Sequence, residues 1–425
     1  MATRGGLGLF GSSKNTEIMN VVRLVVILIA TIVIAHSSAL AQSRDTFSTS
    51  IPSFQEELSE LLTAGKREVL EQLVKDFREE IIDRGVYTED QWMVIREMAE
   101  RMRLRKMNAD PYYIGYLEVL RLFPTLADPA TAFNDWHEVF GRMLQGIEGN
   151  RFQPVQRLLT FSPPFLTGQF LRLNELNTRW SVSSGSPRLQ LDSSGSAVVV
   201  LEEGDLKATR LGDSIQIFGT SGTFQLEEDL WSGTGGQVDW RRYGNPEIAC
   251  ALNGYQIDMV RSFYTADSVT LTHLKYFPDG PISGSFEDKI FSVSEDSTGS
   301  YPRFTSFDQQ LSIENIGQGV AFQGGFRIQG TTVYGYGSRR DPARIDIFST
   351  DGVRAFSGLS ESFAIRQGER IGSRDVEASI YLAQDSISHP SLNLRYDIAQ
   401  KTFDLRRNPD GNGRNPFLDT YHQVN

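Results

Sequence analysis

The hydrophobic period of this sequence changes once, near residue 175, from the spacing of helices to the alternation of strands. From Ser53 to about Phe161, apolar residues recur every three or four positions. Leu58, Leu61 and Leu62 form one such face, Leu70, Leu73, Val74, Phe77 and Ile81 a second, and Trp92, Ile95, Met98, Ala99 and Met102 a third. The stretches Ser53–Glu56 and Thr88–Gln91 have the Ser/Thr-x-x-Glu/Gln form of a capping box. Asp110-Pro111 and Asp128-Pro129 each offer an N-cap with proline at the first helical position. The pattern predicts five or six helices over 53–172, a small bundle-like domain. Its aromatic stripe (Trp92, Tyr113, Tyr116, Phe133, Trp136, Phe140) has the spacing of a core.

From Thr178 onward the apolar residues alternate. "SAVVVLEE", "DSIQIFG", "GQVDWRR", "YQIDMV", "DSVTLTHLKYF", "GGFRIQG", "ARIDIFS" and "LNLRYD" are strand-length runs separated by Gly, Asn, Asp, Ser and Pro. The expected class is therefore α+β in separate domains, with an all-β, repeat-like domain over 178–425. Short units in succession suggest an elongated solenoid-like or jelly-roll-like stack, with a conventional sandwich as the alternative. Asp-Ser followed by Ile or Val occurs three times, at Asp213, Asp267 and Asp385. A nucleophilic serine needs a base and an orienting group in a constant relation. His389 follows Ser386 and His273 follows Ser268, but no histidine follows Ser214 closely. The simpler reading is a polar turn that starts a strand, with the β-branched residue buried.

The N-terminus reads as an address. Arg4, Lys14 and Arg23 precede the apolar run Leu24–Ala35, and Ala39-Leu40-Ala41 is a small-x-small site. Residues 1–41 are expected to be a signal peptide, followed by a linker over 42–52 and a mature chain beginning at Gln42. The run is short for a membrane span, and nothing downstream is apolar enough to cross as a helix. Removing the segment takes away more basic than acidic residues, so the mature chain is more acidic than the −11 of the whole. That balance argues against nucleic acid as a partner. A single cysteine, Cys250, leaves no internal disulfide, and its apolar neighbours predict a buried thiol.

Motifs that carry chemistry are scarce. His137, His273, His389 and His422 are not at zinc spacings. His137 is expected to be a partly exposed helix residue, and His389-Pro390 a turn. "GTGGQVDW" lacks the lysine and helix of a phosphate cradle and reads as a tight corner. "NPDGNGRNPFLD" sets Asn408, Asp410, Asn412, Gly413 and Asp419 at positions 1, 3, 5, 6 and 12 of a calcium loop. Without a preceding helix, a polar turn explains it as well. No other cofactor is expected.

The stretches "WSGTGGQVDWRRYG", "YQIDMVRSFYTADSVTLT", "SYPRFTSF", "GGFRIQG", "DSISHPSLNLRYD" and "NPFLDTYHQV" resemble the N-terminal part of a family of very long, uncharacterised exported proteins of Bacteroidota. The resemblance implies a cell-envelope protein of a Gram-negative bacterium, periplasmic or on the outer surface, and a chain that is part of a longer one. It implies no catalytic residue or cofactor. More distantly, the strand-turn-strand run is similar to the β-jelly-roll of lipopolysaccharide-transport proteins, which would imply an apolar groove. The expected function is a non-enzymatic exported scaffold or binding surface for an envelope component or polymer. A lipid-handling β-groove and a carbohydrate-active β-helix are the rivals.

Overall fold

The computed structural model describes residues 46–64, 67–173, 178–210, 212–291, 301–366, 369–383, 385–407 and 423–424. The segment read as a signal peptide, the start of the expected linker, His422 and the residues read as a calcium loop, Asn408, Asp410, Asn412 and Asp419, lie outside the described residues. The chain divides into two compact units, the first ending at Ala109 and the second beginning at Asp110. That division falls inside the helical run, not at its end near residue 172.

In the first unit, α1 (Ile51–Thr63), α2 (Glu68–Phe77) and α3 (Glu89–Leu104) surround Trp92. Phe54, Phe77 and Tyr87 meet the Trp92 ring edge-on at centroid distances of 6.5, 6.4 and 5.8 Å. The capping box at Thr88 forms as the sequence predicts: Gln91 N–H donates to Thr88 Oγ1 and Thr88 N–H to Gln91 Oε1. The one expected at Ser53 does not. Pro52, preset for a first helical turn, starts α1 at Ile51 and leaves Ser53 inside the helix.

The second unit opens with helices. Asp110 keeps the extended backbone angles of an N-cap (φ −110°, ψ 123°), and Pro111 opens a π-helical turn that runs into α4 (Ile114–Leu122), as the Asp-Pro pair predicts. Asp128 caps α5 (Pro129–Gly146) as expected, accepting from Thr131 N–H at 3.2 Å. The last helix, α6 (Gln153–Gly168), lies close to α4, where a Cβ at Gly115 would come within 3.0 Å of Leu159 Cβ. Trp136 Nε1–H donates to Ser162 Oγ at 2.7 Å and ties α5 to α6. Gln169, at φ 52°, ends α6 and turns the chain into the first strand, β1 (Phe170–Leu173).

Every strand pairing among the described residues is antiparallel. Long strands bend, and their two halves pair with different neighbours. The first half of β4 (Ala197–Arg210) pairs with β3 (Arg188–Leu191) and the second half with β2 (Arg179–Gly185). Both halves also pair with β5 (Asp213–Gln225). The two halves of β6 (Leu230–Trp240) take β8 (Gly254–Asp258) and β7 (Asn245–Leu252), which rejoin on β9 (Phe263–Thr272). β10 (Ile282–Lys289) and β11 (Arg303–Ser306) lead to β13 (Val320–Gln329), whose partner β12 (Leu311–Gly317) lies to one side. From β13 the pairing forks through β14 (Thr332–Tyr336) and β17 (Ser362–Arg366), and through β15 (Ala343–Phe348) and β16 (Arg354–Ser360). Both branches meet on β18 (Arg370–Leu382), closing a ring of six strands. β19 (Asp385–Asp397) follows, with β20 (Thr402–Arg407) and β21 (Gln423–Val424) on it. A closed ring of antiparallel strands is not a coil of a solenoid.

The bends share one device. In β4, Leu201 and Gly204 are buried and Glu202 and Glu203 between them are exposed. In β18 the buried pair is Ser373 and Val376 around exposed Arg374 and Asp375, and in β9 it is Ala266 and Val269 around exposed Asp267 and Ser268. β19 repeats the pattern with His389 and Leu392 buried around Pro390 and Ser391. In each case the partner strand has one residue fewer, so the extra outward residue is a β-bulge, and the apolar residues on either side of it stay inside. Asp213 and Asp385 do start strands, β5 and β19. Asp267-Ser268 instead supplies the two outward residues of a bend inside β9. Ile215 and Val269 are buried, whereas Ile387 is only half-buried.

This assigns a bulge, not serine chemistry, to the β9 bend. Ser268→Ala is expected to cost no more than about 1 kcal/mol, the scale of one lost turn hydrogen bond. Deleting Ser268 removes the extra residue and leaves Val269 inward opposite Gly284, so the β region should keep its cooperative unfolding transition in denaturant. Loss of that transition in the deletion would overturn the assignment.

Candidate functional site

Two cavities lie on β5, one near each end. The first is a seam of about 560 Å³ between α6, β1 and the β5–β6 turn. Phe161 reaches from α6 to stack on Phe224 of β5 at 6.0 Å, and on Phe165 at 5.0 Å. Phe170, Leu171 and Leu226 extend the apolar wall. Its polar side centres on Asp229, held in the left-handed region at φ 53° and only 9% exposed. The Asp229 carboxylate pairs with the Arg157 guanidinium from α6, and lies 3.4 Å from Arg172 Nε of β1. Arg157 also donates to the Leu226 carbonyl, bracing the turn. Arg172 Nε is buried and makes no hydrogen bond. Two guanidiniums thus share one buried carboxylate beside an aromatic wall; Glu227 stands exposed at the rim.

The second cavity, of about 540 Å³, absorbs the first Asp-Ser pair. Arg242, in the short turn after β6, sits between two carboxyls: its Nε is 3.5 Å from Asp213 Oδ1 and its Nη1 3.6 Å from Asp288 Oδ1. Its Nη2 donates to the Ser214 carbonyl at 3.1 Å. Phe291 N–H donates to Asp213 Oδ2 at 2.9 Å, and Lys289 N–H to Asp288 Oδ1 at 2.8 Å. The Asp288 side chain is 3% exposed. Burial pushes its carboxyl up to about 7, against the pull of Arg242. The sequence reading missed both Asp288 and Arg242. The available signal was the alternation Gly284, Phe286, Asp288, which aims a carboxylate inward on β10.

The histidines are dispersed. His137 is buried, a correction to the partly exposed position expected from the sequence, because α5 turns it into the aromatic core with Tyr116, Phe123 and Phe133. Its Nδ1–H donates to the Phe133 carbonyl at 2.7 Å, which leaves Nε2 to accept from Tyr116 O–H at 2.9 Å. Burial depresses it to about 4. His273 lies past the end of β9, stacked on Tyr276 at 4.2 Å, and burial depresses it likewise to about 4. The sequence pattern ran that strand on to Phe277; His273–Phe277 form a turn instead. His389 faces inward at the β19 bend, within a strand and not in the expected turn. Ser214 and Ser268 are exposed and Ser386 is half-buried.

Cys250 is fully buried in β7 as expected, and desolvation raises its thiol well above the usual value. The glycines of "GTGGQVDW" divide into two roles. Gly235 and Gly236, at φ 68° and 98°, make the expected corner of β6, and Gly233 lies under the rings of Tyr255 and Trp231. Among the described residues, no group of three or more His, Cys, Asp or Glu is placed to hold a metal ion, and no helix is long and apolar enough to cross a membrane. No family model, curated protein or solved structure matches this chain.

Asp288 gives stability a definite pH dependence. Its folded value of about 7 exceeds the ordinary 3.8, so the folded state holds a proton that the unfolded state has released between those values. The associated stability is complete at low pH and is lost as pH rises through 7. His137 and His273, depressed from 6.5 to about 4, act in the opposite sense on acidification. They cancel when wild type is compared with Asp288→Asn. The melting temperature of the variant should gain on wild type as pH goes from 5 to 8.5. A constant difference would show that Asp288 is not the titrating group.

Proposed function

We propose that this is a non-enzymatic exported protein of the cell envelope, periplasmic or on the outer surface of a Gram-negative bacterium. Its β region then serves as a binding scaffold, and the seam beside α6 is the ligand seat. The observation that carries this reading is the seam itself: an aromatic wall of Phe161, Phe170 and Phe224 beside Arg157 and Arg172, which share Asp229. Such a surface fits an envelope component with an apolar body and an anionic group. The finer fold type that accords with bent strands and two branches of pairing is a jelly-roll-like stack. The export signal and the sequence resemblance to long exported Bacteroidota proteins support the compartment.

A lipid-handling role is the second reading, and the seam favours a particular form of it. An acyl chain held between strand layers needs an open interior. Inward residues such as Trp231, Val238 and Trp240 are at most 3% exposed, so that space is filled by side chains. An amphiphile would therefore lie against α6. The carbohydrate-active reading gains little, because Asp213, Asp239 and Asp288 are each engaged by an arginine.

Titration calorimetry with dodecanoate and with dodecyltrimethylammonium tests the seat. The anion should bind and the cation should not. Arg172→Gln should weaken the anion by about tenfold or more, the worth of a charged hydrogen bond. Equal binding of both amphiphiles, or an unaffected variant, would overturn the assignment. For export, mass spectrometry of the envelope-fraction protein should find Gln42 as the first residue; a chain beginning at Met1 would refute cleavage.

A further inference from the structure

The Asp213–Arg242–Asp288 cavity shares no lining residue with the seam. Arg241 is committed to Asp239, with its Nε at 2.9 and 2.8 Å from the two carboxylate oxygens and its Nη2 at 2.7 Å. Arg242 is held differently. Its hydrogen bonds go to two backbone carbonyls, Ser214 at 3.1 Å and Lys289 at 3.4 Å. Its approaches to Asp213 and Asp288, at 3.5 and 3.6 Å, are ion pairs longer than an ordinary charged hydrogen bond. Tyr243 also bonds to this guanidinium, which is 21% exposed and lines the cavity with Arg210, Gln216 and Ser214.

We propose that this cavity binds a small oxyanion, a carboxylate or sulfate-like group, at the Arg242 guanidinium beside Asp288. With Asp288 neutral, the cavity has three arginines, Arg210, Arg241 and Arg242, against the carboxylates Asp213 and Asp239. The surplus is positive, and the protonated Asp288 is itself a donor. With Asp288 ionised the lining is balanced and a buried acceptor faces any incoming anion. Anion binding and protonation of Asp288 thus reinforce each other.

The surrounding groups leave that linkage to Asp288. On β10, Glu287 is engaged by Arg303 at 3.3 Å and by Tyr301 at 3.1 Å, and the Lys289 ammonium lies over the Phe291 ring. Tyr264, directly across from Asp288 on β9, and Cys250 on β7 are pushed upward by burial, away from neutrality. Tyr243 in the turn and Tyr301 are likewise raised. Asp205 of β4 acts on Arg241 and bonds to Gly219 N–H at 2.9 Å.

The test uses sulfate, whose charge is constant over the range, and acetate, which is already mostly ionised at its lower end, added to the full chain at pH 5.5 and 8.5. Calorimetry should show binding at pH 5.5 and a loss of affinity of about tenfold or more by pH 8.5, the factor that one unit of linked pKa carries. Near pH 7, buffers of different ionisation enthalpy should reveal proton uptake on binding. Asp288→Asn should bind equally at both pH values, and Arg242→Gln should lose binding. Should Arg242→Gln fail to fold, the proton uptake and the Asp288→Asn profile still decide. Sulfate binding without acetate binding would narrow the ligand to tetrahedral anions. No binding of either, pH-independent binding by wild type, or a pH profile retained in Asp288→Asn would overturn the proposal.

Discussion

A strand that bends must still present one face to the core, and in this protein that requirement governs the whole β region. At each corner one strand carries an extra outward residue, a bulge that kinks it, while its partner alternates straight through, and both keep one face inward. The sequence of each bend then follows: "LEEG", "ADSV", "SRDV" and "HPSL" all place polar or proline residues between two buried positions. Because one strand serves two sets of partners, the pairing can fork at β13 and reconverge at β18 without a chain break at the corner.

Aromatic rings fill what the bends enclose, and glycines make room for them. A Cβ at Gly335 would lie 2.1 Å from the Phe322 ring, and one at Gly233 2.3 Å from Tyr255. The high glycine content is therefore partly a packing property: these inward glycines are seats for rings from neighbouring strands. An alanine at either position collides with an aromatic edge that has no other place to go.

The change of period was legible in the sequence, as were the Thr88 capping box, the Asp128 cap and the burial of Cys250, because each is decided within a few residues. Asp267-Ser268 was misread for a physical reason. A polar pair before a β-branched residue looks the same whether it opens a strand or turns a corner, and only the partner strands distinguish the two. His137 has a polar side chain on a helix, and its burial depends on Tyr116 from another helix supplying the second hydrogen bond. The unit boundary at Ala109 was equally out of reach. The contacts that draw α6 toward the strands, Phe161 on Phe224 and Arg157 on Asp229, join residues far apart in the chain.

Asp288 is the position where local pattern and burial disagree most. Its inward predecessor on β10 is Phe286, and the inward residues facing the same layer, Tyr264 and Phe304, are aromatic. An apolar residue would satisfy the alternation at no electrostatic cost. A buried ion pair with Arg242 seldom recovers the desolvation of both partners, and at 3.6 Å this one lacks the short contacts that would help it do so. Holding the carboxyl neutral avoids most of that cost, which is why its proton is retained to about pH 7. A neutral acid beside a cation that lines a cavity is poorly suited to stabilising a core and well suited to receiving an anion. The energetic oddity and the binding chemistry therefore have a single origin, the placement of one carboxyl on the inward side of β10.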